Sequence, residues 1–215
     1  MKELNLRKQI IKFSKLLNKT NLSPLRSGNI SARGKNKGVD GFYITPSGMK
    51  YSSLKPKNIV FVTLDGRFEK NKKPSSEWRF HQDIYVNKKE AKAIVHAHST
   101  CATAVSTHQK SIPAFHYMVA VAGGEDIKCT KYATFGTRQL SKNILSALKN
   151  RSACLIGNHG QIAFAENLEK AFELAQEVEN ICHQYINALR IGIPKILSKK
   201  EMKIVLGKMK NYKRG

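Results

Sequence analysis

The chain has 215 residues, 41% of them hydrophobic, which is enough for one compact domain with a sizeable core. It contains no run of about 18 apolar residues, and its first residues lack the apolar stretch of a signal peptide, so neither a transmembrane helix nor secretion is expected. The net charge of +23 comes from 38 Lys and Arg against 15 Asp and Glu. The lysines are spread along the chain and are not gathered beside aromatic residues, which favours a solvated surface over a nucleic-acid interface.

The cysteines are few and widely separated. Cys101, Cys129, Cys154 and Cys182 form no Cys-x-x-Cys pair. Without a signal peptide, four reduced and mostly buried thiols are more plausible than two disulfides. We therefore expect a cytoplasmic protein.

The first half of the chain alternates between helical and strand patterns. Apolar residues at helical spacing predict an amphipathic helix at the N-terminus, and short β-branched or aromatic runs bounded by Gly, Pro and Asp predict strands. A second helix is expected to start at Pro74-Ser75-Ser76-Glu77, with a serine as its N-cap. The predicted elements are helix 2–18, a hairpin of strands 28–33 and 41–45 around a polar turn at 34–40, strand 58–63 and a helix through Tyr85.

The second half continues in the same way. It ends in a long amphipathic helix, followed by a short one. The predicted elements are a strand from Ala93, helix 100–107, an irregular stretch or short strand at 113–124, helix 136–148, strands 153–156 and 161–164, and helices 168–189 and 198–209. Repeats, linkers and low-complexity stretches are lacking, so the pattern predicts one α/β domain over residues 1–215.

Two histidines follow a predicted strand at a spacing of two residues. In Ala93-Ile94-Val95-His96-Ala97-His98 the β-branched residues favour a buried strand. Side chains two residues apart on a strand point to one face, so His96 and His98 can reach one point in space. Paired imidazoles suit Zn²⁺, which binds nitrogen ligands at about 2.0–2.1 Å. The alternative is a metal-free, hydrogen-bonded pair at the polar end of a strand.

His159 is the best candidate for a third nitrogen ligand. The glycines of Gly157-Asn158-His159-Gly160 permit a tight turn after a strand, which would hold the imidazole at the end of a rigid element. The alternative is an ordinary turn histidine. Four other histidines are weaker candidates: His81, His108, His116 and His183.

Glu77 is the natural fourth group. It follows two serines at a predicted helix start, where the helix dipole stabilises a carboxylate. A carboxylate beside a three-histidine Zn²⁺ site can be displaced by substrate and then act as a base. The alternative is a first-turn glutamate without a catalytic role, and the sequence alone does not rank the two.

Three small polar loops could bind a phosphate group. Backbone N–H groups near glycine, hydroxyl groups and a helix N-terminus are the usual means of holding this dianion. Each loop alone is a weak signal, but together they indicate a phosphate ester, whose approach the positive charge of the chain would favour. The candidate residues are Gly28 and Asn29, Ser47 and Gly48, and Ser75 and Ser76.

Several motifs in order along nearly the whole chain resemble those of the class II aldolase family. The resemblance implies an α/β fold with a central, mainly antiparallel sheet flanked by helices. The motifs are Gly28-Asn29-Ile30-Ser31, Ile44-Thr45-Pro46-Ser47-Gly48, Pro74-Ser75-Ser76-Glu77-Trp78-Arg79-Phe80-His81, Val95-His96-Ala97-His98, Ser111-Ile112-Pro113-Ala114-Phe115-His116-Tyr117-Met118, Tyr132-Ala133-Thr134-Phe135-Gly136-Thr137-Arg138 and Asn158-His159-Gly160.

By this resemblance, one Zn²⁺ per subunit would be bound by His96, His98 and His159, with Glu77 completing its coordination and acting as the base. The substrate phosphate would be bound by the six residues of the three polar loops. Tyr117 would lie beside the oxygens at the bond being cut, and Tyr212 matches a tyrosine of the family's C-terminal tail that reaches a neighbouring subunit. The family is typically homotetrameric, with its sites at subunit interfaces.

The resemblance implies reversible cleavage of a ketose 1-phosphate to dihydroxyacetone phosphate and an aldehyde. The motifs are most similar to those of members that act on L-fuculose 1-phosphate, which yields L-lactaldehyde. The first alternatives are aldolases for 5-deoxyribulose or 5-methylthioribulose 1-phosphate, and a sibling L-ribulose 5-phosphate 4-epimerase, since Asp126 resembles its catalytic aspartate. A non-catalytic relative such as adducin lacks the histidines and the glutamate, whereas this chain has all four. A further alternative, a nucleic-acid-binding protein, is supported only by the net positive charge of the chain.

Overall fold

The computed structural model of the chain describes residues 2–212, with side chains described for residues 3–209. Its helices are α1 (Lys2–Lys19), α2 (Trp78–Asn87), α3 (Thr100–Ser106), α4 (Arg138–Ala147), α5 (Leu168–Ile191) and α6 (Lys199–Tyr212). Its strands are β1 (Asn29–Asn36), β2 (Val39–Ile44), β3 (Val60–Thr63), β4 (Ala93–Ala97), β5 (Ala153–Ile156) and β6 (Gly160–Ala165).

The strands form one sheet in the order β3-β2-β1-β4-β6-β5, and each neighbouring pair is antiparallel. The register pairs Asn29, the first residue of β1, with His96 near the end of β4. It also pairs Ala97 with Gln161 at the start of β6. One end of the sheet therefore gathers the strand ends and loops that carry the predicted site. The predicted fold class, an antiparallel sheet flanked by helices, is confirmed.

Helices cover both faces of the sheet, which explains why β4 is buried along its length. Successive side chains of a strand point to opposite faces, and all five residues of β4 are buried. Val95 belongs to the apolar cluster that includes α1, α3 and α5, whereas Ile94 belongs to the cluster that includes α2 and α4. His96 lies two residues after Ile94 and therefore points to the same face of the sheet. Its ring packs edge-on against Phe80 of α2 at a centroid distance of 5.3 Å.

The first hairpin is tighter than predicted. The polar turn expected over residues 34–40 is reduced to two residues, because β1 continues to Asn36 and β2 begins at Val39. Lys37 and Gly38 have φ values of 48° and 82°. Positive φ at both central residues is typical of the two-residue turn that matches the twist of the flanking strands.

The start of α2 also differs from prediction. The helix begins at Trp78, with Glu77 at the N-cap position and no side-chain capping hydrogen bond. Instead, the Ser75 carbonyl accepts a hydrogen bond from the Trp78 N–H, and the Ser75 hydroxyl accepts one from the Glu77 N–H. These bonds close a turn before the helix, so a serine N-cap was wrong, and Glu77 lies at the junction between loop and helix.

The stretch expected to be irregular at 113–124 contains a 3₁₀ helix over Tyr117–Ala122, which ends at Gly123 with φ 99°. α6 packs on it through a small apolar cluster that includes Ala120 and Met202. The four cysteines are free, and two of them, Cys154 and Cys182, are buried. Over residues 2–212, the helices are too short or too polar to cross a membrane.

Candidate active site

His96 is fully buried near the end of β4, with one of its two ring nitrogens already engaged. Nδ1 lies 2.8 Å from the backbone carbonyl oxygen of Gln161. Since a carbonyl oxygen only accepts, Nδ1 carries a proton, which leaves Nε2 as the nitrogen that can bind a metal. A backbone partner on one nitrogen is the usual way in which a metal-binding histidine is oriented.

His98 and His159 are held by backbone hydrogen bonds to serine side chains. The His98 N–H donates to Ser23 Oγ at 3.0 Å. The His159 N–H donates to the Ile156 carbonyl at 3.0 Å and lies 3.3 Å from Ser106 Oγ. Ser23 therefore anchors the residue after β4, and Ser106 of α3 anchors the turn between β5 and β6.

The three imidazoles converge on one point. His98 Nε2 lies 2.9 Å from His96 Nε2 and 3.0 Å from His159 Nε2. The carboxylate of Glu77 adjoins them, with Oε2 at 3.2 Å from His96 Nε2 and Oε1 at 3.2 Å from His159 Nε2. One ligand atom from each of these four residues lies within 4.8 Å of all the others. The sequence placed these residues on three separate segments, and the structure brings them together.

Glu77 is buried, with 7% of its surface exposed, and it remains ionised. Burial alone would raise the pKa of its carboxyl group, but His96 and His159 outweigh burial and hold the pKa well below its usual value. Oε2 accepts a hydrogen bond from Asn29 Nδ2 at 2.9 Å. Among the described residues, Oε1 is buried without a hydrogen-bond donor.

This arrangement fits a divalent cation. Burial, together with His96 and His159, lowers the pKa of His98 to about 3, so its ring is neutral and can act as a ligand near neutral pH. A buried carboxylate oxygen without a donor, facing three imidazole nitrogens, is costly unless a cation compensates it. Three nitrogens and a carboxylate oxygen form a ligand set that suits Zn²⁺. The described residues can therefore hold a metal ion.

A cavity of about 380 Å³ opens beside the histidines. Glu77, His98 and His159 line it, while His96 lies behind them, fully buried. The six candidate phosphate residues line the same cavity: Gly28, Asn29, Ser47, Gly48, Ser75 and Ser76. The loops singled out in the sequence therefore share one cavity with the candidate metal ligands.

A family model described as Class II Aldolase and Adducin N-terminal domain matches residues 8–186. The chain belongs to the class II aldolase family. It is 46% identical over 213 residues to the L-fuculose phosphate aldolase of Escherichia coli K12, which covers 99% of this chain and 97% of that relative. It is also 44% identical over 207 residues to the 5-methylthioribulose-1-phosphate/5-deoxyribulose-1-phosphate aldolase of Rhodospirillum rubrum. This match covers 96% of this chain and 92% of that relative.

Solved structures agree with this membership. The structure of an L-fuculose 1-phosphate aldolase matches with a TM-score of 0.89 and 36% identity over 96% of each chain. An L-fuculose-1-phosphate aldolase from Thermus thermophilus matches with a TM-score of 0.75 over 92% of this chain and 100% of that chain, and at 24% identity this likeness shows the fold alone. The predicted family and the prediction of a lyase are confirmed.

The cavity of this class II aldolase also contains residues to which the sequence reasoning assigned no role. Arg26, Tyr132, Phe135 and Asn158 line it. Arg26 Nη1 donates to the Gly48 carbonyl at 3.1 Å, which places a guanidinium group beside a candidate phosphate loop. The signal for Tyr132 and Phe135 was present, since both belong to a family motif, but no local pattern indicated that Arg26 folds over the cavity.

Tyr117, which the resemblance placed at the reacting oxygens, does not line this cavity. Tyr117 begins the 3₁₀ helix beside α6 and is 50% exposed. Tyr212 is the last residue of α6, and its side chain lies outside the described residues. A single aldolase chain therefore presents the candidate metal ligands and the phosphate loops without Tyr117.

The aspartate that suggested an epimerase is engaged elsewhere. Asp126 Oδ1 lies 2.6 Å from Arg151 Nη2, and its Oδ2 lies 2.6 Å from Lys128 Nζ. It is not among the cavity-lining residues. Two cations compensate its charge, so Asp126 supports the local fold of its loop.

Proposed function

We propose that this class II aldolase is a Zn²⁺-dependent enzyme that reversibly cleaves L-fuculose 1-phosphate to dihydroxyacetone phosphate and L-lactaldehyde. The observation that carries the proposal is the convergence of Glu77 with His96, His98 and His159 beside the cavity lined by the phosphate loops. The substrate follows from the relatives with 46% and 36% identity, which are L-fuculose phosphate aldolases.

His96, His98 and His159 would hold one Zn²⁺ per subunit, with Glu77 as the fourth ligand of the resting site. When bound, the ion acts as a Lewis acid that polarises the substrate carbonyl and stabilises negative charge on the neighbouring oxygens. Because cleavage of the C3–C4 bond leaves an electron pair on carbon, this stabilisation is required near neutral pH. The abundant lysines of the chain have no role as Schiff-base residues in such chemistry.

The phosphate loops orient the substrate. Gly28, Asn29 and the residues of the Ser47 and Ser75 loops line one side of the cavity and offer N–H and O–H donors to a phosphate dianion. Arg26 adds a positive charge at the same place. With the phosphate fixed there, the carbonyl end of a ketose 1-phosphate would face the histidines.

Glu77 would move the proton at carbon. In the cleavage direction it would donate to C3 of the three-carbon fragment a proton that it has taken up from solvent, while the C4 hydroxyl proton leaves through Tyr117; in the synthetic direction its carboxylate would remove the C3 proton. Oε1 is buried without a donor, whereas Oε2 is fixed by Asn29, so one oxygen has a free lone pair while the other anchors the group. His96 and His159 hold the pKa of Glu77 below its usual value, which keeps the carboxylate ionised in the resting site.

Tyr117 would transfer the proton of the aldehyde oxygen. It is half-exposed and lies outside the cavity of its own chain, so we propose that it completes the cavity of a neighbouring subunit. This is consistent with a homotetramer whose sites lie at subunit interfaces. Tyr212 would approach a neighbouring site in the same way.

A second candidate substrate is 5-methylthioribulose or 5-deoxyribulose 1-phosphate, which the relative with 44% identity is named for. Both classes of substrate share the phosphate and the reacting carbons, so the same loops and histidines would serve either. An L-ribulose 5-phosphate 4-epimerase is disfavoured, because both carboxylate oxygens of Asp126 are ion-paired, one with Arg151 and the other with Lys128.

The surroundings of the enzyme follow from the same reasoning. A phosphorylated sugar is a cytoplasmic metabolite, so we propose cytoplasmic localisation, with a small-molecule substrate and neither a nucleic-acid nor a membrane partner. The net charge of +23 would raise the encounter rate with an anionic substrate, an effect that weakens with salt.

The decisive experiment is a panel of ketose 1-phosphates and pentulose 5-phosphates with the Zn²⁺-loaded protein, in which release of dihydroxyacetone phosphate is measured. We expect turnover to be fastest with L-fuculose 1-phosphate. Glu77→Gln should lower kcat by about 10²–10⁴-fold while Zn²⁺ still binds, because the three histidines remain. Metal content is measured on the same samples. Failure of every ketose 1-phosphate to release dihydroxyacetone phosphate from the metal-loaded protein would refute the proposal.

A further inference from the structure

A buried chain of hydrogen bonds runs from the core to the carboxylate of Glu77. Tyr85 OH lies 2.8 Å from Ser31 Oγ, and Ser31 Oγ lies 2.7 Å from His81 Nδ1. His81 Nε2 lies 2.5 Å from Asn29 Oδ1, and Asn29 Nδ2 lies 2.9 Å from Glu77 Oε2. These five residues are between 0% and 7% exposed. His81 was a weak metal-ligand candidate in the sequence, and it lies outside the metal cluster.

The direction of each hydrogen bond follows from the carboxylate. Ionised Glu77 can only accept, so the amide nitrogen of Asn29 must face it and the amide oxygen must face His81. Nε2 of His81 therefore carries the proton, and Nδ1 accepts from the Ser31 hydroxyl. Burial, reinforced by His96, lowers the pKa of His81 to about 3, so the ring stays neutral with one proton, as this pattern requires.

The chain joins one face of α2 to one face of β1. Residues 77, 81 and 85 recur at four-residue intervals and share a face of the helix, while Asn29 and Ser31 are two apart on the strand. The hydrogen bonds link these two faces. The spacing is visible in the sequence, but the partners are not, because the register between α2 and β1 is a tertiary property.

We propose that His81 is a positioning residue that acts through Asn29 to orient the carboxylate of Glu77 towards the three histidines. Without a donor at the position of His81 Nε2, the Asn29 amide can turn its oxygen towards Glu77. Oε2 of the carboxylate then loses the Asn29 donor and faces a like partial charge. The predicted loss of metal affinity depends only on the cluster of Glu77 and the three histidines. The predicted loss of catalytic rate rests on the proposed function.

A matched pair of variants tests this role. A glutamine side chain places its amide nitrogen about where histidine has Nε2, whereas the polar end of asparagine lies about where histidine has Nδ1. His81→Gln therefore keeps a donor to Asn29, and His81→Asn keeps only the contact with Ser31. We expect His81→Asn to weaken Zn²⁺ affinity and lower kcat by about 10–100-fold, the usual effect of losing a partner of a metal site. The Zn²⁺ affinity and the kcat of His81→Gln should each stay within about threefold of the parent values.

The measurements separate positioning from stability. Zn²⁺ affinity is obtained by competition with a chelator, kcat and KM by dihydroxyacetone phosphate release, and folding by thermal unfolding. Tyr43→Phe is the control for a lost buried hydrogen bond, because Tyr43 OH donates to the Lys35 carbonyl at 2.9 Å and lies in the first hairpin. It should lower Tm without changing Zn²⁺ affinity or kcat.

Asn29→Asp tests the same link from the other side. It removes the donor to Glu77, and adding His81→Asn should then cause little further loss of Zn²⁺ affinity, because both changes break one connection. The proposal would be overturned if His81→Gln and His81→Asn lost Zn²⁺ affinity and kcat to the same extent. It would also be overturned if a folded His81→Asn protein kept the Zn²⁺ affinity of the parent. If the parent binds Zn²⁺ but cleaves no ketose 1-phosphate, the proposed function fails while the affinities still decide the role of His81.

Discussion

The two oxygens of the Glu77 carboxylate have different environments. Oε2 is held by Asn29, and Oε1 faces His159 without a donor. A carboxylate used both as a metal ligand and as a base needs such an arrangement, because it must stay in place while one lone pair remains available. At the residue scale, the proposed chemistry of the site therefore depends on Asn29 as well as on the four candidate ligands.

Arg26 is expected to contribute to phosphate binding. Replacing it by glutamine removes a positive charge beside the Gly48 loop but leaves the metal ligands untouched. We predict that Arg26→Gln raises KM for the ketose 1-phosphate about tenfold, equivalent to about 1.4 kcal/mol, with little change in kcat. Steady-state kinetics and inhibition by inorganic phosphate measure this.

The control is Arg67→Gln, since Arg67 is exposed, pairs with Asp65 and does not line the cavity. It should leave KM unchanged. An Arg26→Gln enzyme whose KM and phosphate inhibition match those of Arg67→Gln would contradict a role for Arg26 in phosphate binding.

At the element scale, the site depends on the close approach of the loop before β1 to β4. Gly28 has φ +76°, and a Cβ atom there would lie 2.6 Å from the His96 carbonyl oxygen and 2.6 Å from Ser23 Oγ. Ser23 in turn accepts the His98 N–H. A glycine at this position therefore lets one loop support two of the candidate metal ligands.

We predict that Gly28→Ala destabilises the protein by more than about 1 kcal/mol and weakens Zn²⁺ affinity, because the strand that carries His96 must shift. Gly38→Ala is the matched control. Gly38 also has positive φ, at +82°, but a Cβ atom there meets nothing within 4 Å. Its substitution should cost stability through backbone strain alone and leave Zn²⁺ binding intact. Chemical unfolding and chelator competition on both variants measure this, and equal Zn²⁺ affinities in the two would contradict the prediction.

At the scale of the whole molecule, buried neutral histidines make the metal-free protein sensitive to acid. The pKa of His81 is about 3 in the folded state against an ordinary value of 6.5, so the unfolded chain takes up the proton first as the pH falls. The stability that neutral His81 contributes is therefore fully present above pH 6.5 and is lost as the pH decreases towards 3.

We predict that the free energy of unfolding of the metal-free protein decreases between pH 6.5 and 4.5, and that His81→Gln reduces this slope by about 1.4 kcal/mol per pH unit. Urea unfolding at a series of pH values measures the slope. An unchanged slope in the variant would show that His81 does not stay neutral in the folded state.

The elements and the types of the candidate ligands could be predicted from the amino-acid sequence. A short run of β-branched apolar residues predicted β4, the helical spacing predicted α5, and the two-residue interval of His96 and His98 predicted a shared face. These signals are local: each depends on residues within a few positions of one another. The turn glycines pointed to His159 and the predicted helix start pointed to Glu77, and the family motifs supported both choices.

Which of these groups meet is a property of the folded chain. The order and register of the strands bring residues 77, 96 and 159 together from three elements and leave Tyr117 outside the cavity. The same register turns His81 into a partner of Asn29, and the fold pairs Asp126 with Arg151. Such contacts join residues tens of positions apart, and no short-range periodicity encodes them, because they follow from how the two faces of the sheet are packed.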